Sequence, residues 1–185
     1  MKHIKIYINE RLHITTTSFY TCHPKTKEEL LEIIIKRTES DGSECDLNDI
    51  DVSNITDMEN LFNATAHEIF KDFNGDVSMW NVSNVTNMYA MFAHCKKFNC
   101  NISHWNVSNV KTMRGMFFKC NAFNIDLSKW NMKHVEDIQS MFEECKNFNQ
   151  NIDRWNVSNI DNMFMTFNKC PTHPEWYDKD RWENY

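Results

Sequence analysis

Glycine and proline are scarce, with three of each in 185 residues. That scarcity excludes a collagen repeat, a flexible linker and a glycine-rich phosphate loop, each of which needs those residues in number. No apolar run approaches the roughly 20 residues that a membrane-spanning helix requires, so no membrane span is expected. The opening Met1-Lys2-His3-Ile4-Lys5-Ile6 alternates charge with apolar groups and lacks a signal-peptide core. A soluble, cytoplasmic protein is the expectation, with a secreted or cell-surface location as the alternative if an upstream signal was removed. No Cys-x-x-Cys pair occurs, and the spacing of Cys95 and Cys100 fits no common zinc site, so neither a metal nor a cofactor is expected. Basic charge is not in excess either. A net charge of −6 disfavours direct nucleic-acid binding, which needs a basic patch for the phosphates. What is present is 41% apolar and 13% aromatic residues, enough to bury a core.

Seven cysteines are an odd count, so at least one is unpaired. The simplest reading is reduced thiols, packed as small hydrophobes in a reducing compartment.

The chain repeats itself. Phe73, Phe98, Phe123 and Phe148 stand 25 residues apart, as do Trp80, Trp105, Trp130 and Trp155. Columns beginning at Asn81, Phe92 and Cys95 keep the same step. An earlier copy, Val52-Ser53-Asn54-Ile55-Thr56-Asp57-Met58, precedes its counterpart by 30 residues, which places five extra residues near Ala66 to Phe70. Five coils follow: roughly 43–72, 73–97, 98–122, 123–147 and 148–172. Within one coil, Ile102, Trp105 and Val107 predict a short strand, and Ser108-Asn109 offers a helix N-cap. Met113, Met116, Phe117 and Cys120 then fall at i, i+3, i+4 and i+7, one face of a helix. The fold class expected is α/β: a leucine-rich-repeat-like solenoid of about five strand–helix coils, each burying its stripe against its neighbours. The column of Asn81, Asn106, Asn131 and Asn156 is expected to form a hydrogen-bonded ladder.

Residues 1–42 lie outside the period and are read as an N-terminal cap. Ile4 to Ile8 and Leu12 to Thr16 predict a hairpin. After Pro24, Thr26 and Glu29 form a capping box for a helix, and Gly42 suits its end. The repeats occupy 43–172. Residues 173–185 are read as a C-terminal cap in which Trp176, Tyr177, Trp182 and Tyr185 cover the last coil.

The unit Phe98-Asn99-x-Asn101-Ile102-Ser103-x-Trp105-Asn106-Val107-Ser108-Asn109-Val110, followed by Met113, Met116-Phe117 and Cys120, resembles that of a known family. It is similar to the repeat of BspA-like leucine-rich-repeat surface proteins, also called the Mycoplasma lipoprotein-associated repeat, over about 43–172. The resemblance implies a bacterial or bacteriophage-type source and a non-catalytic, protein-binding solenoid. It also implies export and adhesin activity, although Phe19-Tyr20-Thr21-Cys22 is a poor lipobox with no apolar segment before it.

No catalytic residues are expected. His94, His104 and His134 occupy different places in their coils, and no Ser/His/Asp or paired-carboxylate pattern accompanies them. The protein is read as a non-catalytic interaction module that binds and blocks or tethers another protein. One form is a phage or mobile-element inhibitor of a host nucleic-acid enzyme; the alternative is an exported adhesin-type repeat protein. Candidate partner-binding residues come from columns that vary between coils, because a packed interior demands sameness and a solvent face does not. Met79, His104, Lys129 and Arg154, each just before a Trp, form one such column, with Lys133 and His134 nearby. The acidic first coil contributes Asp49 and Asp51, which make a second pole for a charged partner.

Overall fold

The computed structural model describes residues 19–183. The expected hairpin before residue 19, and Tyr185, lie outside those residues. Helix α1, Lys27–Asp41, begins where the capping box predicts. The Thr26 hydroxyl accepts the Glu29 N–H at 3.2 Å, and the Glu29 carboxylate accepts the Lys25 N–H at 2.7 Å. Gly42 ends it with φ of 87°, its N–H returning to the Thr38 carbonyl. Leu30, Ile34 and Thr38 face the first coil.

The repeats are not built as predicted. Among the described residues, helices occur only as α1, a short 3-10 helix at Glu68–Phe70, and α2 at Lys179–Glu183. Among the same residues, strand pairing is limited to isolated parallel bridges. The strand–helix solenoid is therefore wrong: the repeats are runs of tight turns. The predicted strand closes instead into successive turns, Trp105 N–H to the Ile102 carbonyl and Val110 N–H to the Val107 carbonyl. In the predicted helix, Gly115 and Lys119 take left-handed φ of 62° and 60°, which ends any helical path. The N–H groups there split in alternation. Met113, Gly115, Phe117 and Lys119 donate to the next repeat, at Asp137, Gln139, Met141 and Glu143, while Met116, Phe118 and Cys120 close local turns. A chain of turns returns side chains to one side at three- and four-residue steps. It therefore mimics the apolar period of a helix without its hydrogen bonds.

The 25-residue spacing sets the contacts between repeats. Bridges pair Asn87 with Thr112, Thr112 with Asp137 and Asp137 with Asn162, and the earlier Asp57 with Asn87 at the longer step. The extra residues form the 3-10 helix, whose Phe70 is buried. Inside, Phe92, Phe117, Phe142 and Phe167 stack at 6.0, 5.7 and 5.5 Å between ring centres. The Phe98 column interleaves with them, with Phe92–Phe98 at 3.9 Å. Each indole N–H reaches back one repeat: Trp80 to the Leu47 carbonyl, Trp105 to Val77, Trp130 to Ile102 and Trp155 to Leu127. The thiols do likewise. Cys95, Cys120, Cys145 and Cys170 donate to the carbonyls of Phe62, Phe92, Phe117 and Phe142 at 2.8–3.0 Å. Burial raises the pKa of each of these four thiols, and all seven cysteines are free.

Two further expectations need correction. Asn81, Asn106, Asn131 and Asn156 make no ladder. Each side chain accepts the N–H two residues on, closing a local turn. The ladder runs in another column, where the Asn99, Asn124 and Asn149 N–H groups donate to the side chains of Asn74, Asn99 and Asn124. Ser108-Asn109 caps no helix either, since Asn109 donates from Nδ2 to the Ser83 carbonyl. At the far end Trp176 stacks on Trp155, Tyr177 meets Phe167 edge-on at 4.9 Å, and the Trp182 carbonyl accepts the Met165 N–H.

Candidate interaction surface

Met79, His104, Lys129 and Arg154 all lie exposed, each on the turn that delivers the next tryptophan inward. The geometry follows from the turn itself: Trp105 N–H bonds the Ile102 carbonyl, which leaves Ser103 and His104 at the outer corner. Met79 is 63% exposed, a large apolar side chain left in water on an otherwise polar face. Arg154 borders a shallow depression with Asp126, Ser128, Gln150 and Asn151.

The other candidates are not gathered with this column. Lys133 and His134 line a separate open groove of about 710 Å³ with Lys111, Glu136, Asn159 and Asp161. His134 takes the place held by Asn109 in the repeat before, and its Nδ1 lies 2.7 Å from the Ser108 carbonyl. Asp49 and Asp51 are engaged within the first coil. Asp49 bonds the Arg37 guanidinium at 2.9 Å and the Thr21 hydroxyl. Ser53, and then His23, hold the Asp51 carboxyl below the usual carboxylate range. Asp57 accepts the Lys27 ammonium at 2.8 Å. Asp49 and Asp57 thus tie α1 to the first coil, while Asp51 ties in His23 of the segment before it.

A second feature escaped the sequence reading. Tyr89, Arg114 and Phe118 rise around a low floor of Ala90, Ala93 and Gly115, with His94 and Ser140 at the edges, enclosing about 220 Å³. The Arg114 guanidinium lies 5.9 Å from the Tyr89 ring centre, and the Lys119 ammonium 4.8 Å from that of Phe118. The signal was available, because Tyr89, Arg114 and Gln139 vary between repeats just as the Met79 column does. Reading the segment as a helix attends to its apolar face, Met113, Met116, Phe117 and Cys120, and passes these positions over.

Among the described residues no cluster of His, Cys, Asp and Glu could hold a metal ion, and no helix is long and apolar enough to cross a membrane. No curated protein and no solved structure matches the chain. A family described as "Mycoplasma protein of unknown function, DUF285" matches twice, over residues 34–136 and 56–179, with the second match offset into the next repeats. Those matches run from within α1 through the last repeat and, joined to the shared 25-residue contacts, place this chain in the DUF285 family of Mycoplasma-type repeat proteins.

Proposed function

We propose that the protein is a non-catalytic module that binds another protein through exposed columns of its stacked repeats. The observation that carries this reading is the contrast between columns. Interior positions repeat nearly unchanged as Phe, Trp, Met and Cys, whereas Met79, His104, Lys129 and Arg154 differ in size and charge while holding the same exposed place. Such a surface offers an apolar anchor beside cationic groups, the composition that interface centres favour. Affinity capture from the source organism, followed by binding measurements with the purified partner, tests it. The double variant Lys129→Glu/Arg154→Glu keeps the parent's melting temperature and weakens the complex by roughly 1–3 kcal/mol. Unaltered affinity would remove this column from the interface.

The narrower form, a phage or mobile-element inhibitor of a host nucleic-acid enzyme, draws little support from the acidic pole. Asp49, Asp51 and Asp57 already face Arg37, His23 and Lys27. Action in a reducing compartment draws support from seven unpaired thiols, several of them hydrogen-bonded to carbonyls. The alternative, an exported adhesin-type repeat protein, draws support from the match to a Mycoplasma-type repeat family. Surface biotinylation of intact cells separates the two: labelling of this chain favours the adhesin, and protection favours the internal module.

A further inference from the structure

The repeats carry a column of residues in left-handed backbone conformation: Asn60, Ala90, Gly115, Ser140 and Met165, with φ of 49–62°. The column is bulky at both ends and small in the middle. There it forms a trough, lined above the floor by Tyr89, Arg114, His94, Phe118 and Glu143. The charges around it are unbalanced. Glu143 contributes a carboxylate to the lining, hydrogen-bonded by Asn168, and Glu144 pairs with Lys169 at 2.8 Å. Arg114 rests on the Tyr89 ring, and among the described residues no carboxylate pairs with it. His94 stands edge-on to Phe118, and its pKa is lowered by burial first and then by the Lys119 and Lys96 ammonium groups. Against the lining carboxylate of Glu143 stand Arg114 in the lining and the Lys96 and Lys119 ammonium groups acting on His94, so cationic groups outnumber it. The floor's backbone is already satisfied, with Ala90 N–H bonded to the Arg114 carbonyl and Gly115 N–H to that of Gln139. A ligand cannot add itself as a strand and must be read through its side chains.

We propose that this trough docks an extended segment of a partner protein, seating an Asp or Glu carboxylate on Arg114 and, two residues along the same face, a small aliphatic side chain on the Ala90–Gly115 floor. A guanidinium held over a ring is pre-oriented to receive a planar carboxylate. The trough is small and open to solvent, so a free small molecule would leave too much of its surface in water to bind well. An extended chain engages it with one or two side chains and continues along the repeats. The trough lies apart from the Met79 column, so its failure leaves the reading above intact.

The test titrates the full chain with the peptide acetyl-Val-Ser-Asp-Ser-Val-amide, and separately with acetyl-Val-Ser-Asn-Ser-Val-amide, observed by amide and imidazole NMR. Saturable shifts at Ala90, Gly115 and Phe118 are expected with the Asp peptide, with at least tenfold weaker binding of the Asn peptide. The His94 pKa rises on binding, because the carboxylate offsets Lys119 and Lys96. Arg114→Gln weakens binding at least tenfold. Gly115→Asn blocks the floor while the rest of the spectrum is retained. A Cβ there meets nothing closer than 4.0 Å, and Asn60 already adopts the same conformation. Absence of saturable shifts up to roughly 10 mM peptide, two orders weaker than a typical 0.1 mM contact, overturns the proposal. So does equal binding of the Asn peptide, or undiminished binding by the Arg114→Gln variant.

Discussion

Trp105 is 4% exposed and donates its indole N–H to the Val77 carbonyl at 3.1 Å. Truncation therefore removes a packed ring and a bond to the preceding repeat together. Trp105→Ala is expected to lower unfolding free energy by about 3–5 kcal/mol, the usual loss for a buried aromatic. Trp105→Phe keeps most of the ring contact and forfeits the hydrogen bond, for a loss of about 1–2 kcal/mol. Urea unfolding of the two variants checks both values, and parent-like stability of Trp105→Ala would show that the ring is not packed. The inward columns were legible at this level because a buried position between identical neighbours tolerates little change. The asparagines were not. A repeated Asn can bond along the stack, as Asn99 does, or close its own turn, as Asn106 does, and the residue type is the same in both.

Among elements, α1 and the 3-10 insertion followed from local chemistry: a capping box, a terminal glycine, and five residues beyond the period. The repeat segments did not, since a helix and a chain of turns share the same apolar step. Gly75 shows how closely these turns approach one another. Its column holds Cys100, Ile125 and Gln150 in later repeats, yet a Cβ at Gly75 would stand 2.7 Å from the Phe73 ring and 2.8 Å from the Cys45 carbonyl. That carbonyl accepts the Asp76 N–H and cannot easily move. Gly75→Ala is expected to destabilise by about 1–3 kcal/mol through overpacking. Thermal melting checks it, and an unchanged midpoint would mean that the Phe73 ring yields freely.

The whole molecule has an alkaline limit set by its thiols. Burial raises the pKa of Cys95, Cys120 and Cys145, of Cys100 to about 11 and of Cys170 to about 12, from the ordinary 9.0. With pKa raised in the fold, the folded chain holds protons that the unfolded chain releases above pH 9.0. Stability from this source is complete below that pH and falls as pH climbs through 11 and 12. A melting series should be flat with respect to the thiols at neutral pH and decline steeply above pH 9.0. In a Cys95→Ala/Cys120→Ala/Cys145→Ala variant the alkaline decline should be shallower. An identical decline would assign the loss to other groups.

Composition and the 25-residue step were enough to say which columns turn inward, where the extra residues fall, and how α1 starts and stops. They were also enough to single out the Met79 column. Tertiary structure alone decided that the repeats are turns, that Asp49 and Asp51 are engaged within the first coil, and that Arg114, Tyr89 and Phe118 frame a trough. The reason lies in where the backbone bonds go. Gly115 N–H could have turned back to a carbonyl within its own repeat, and instead it reaches Gln139 in the next one. No local pattern distinguishes those two partners, because only the stacking of one repeat on another brings the second within reach.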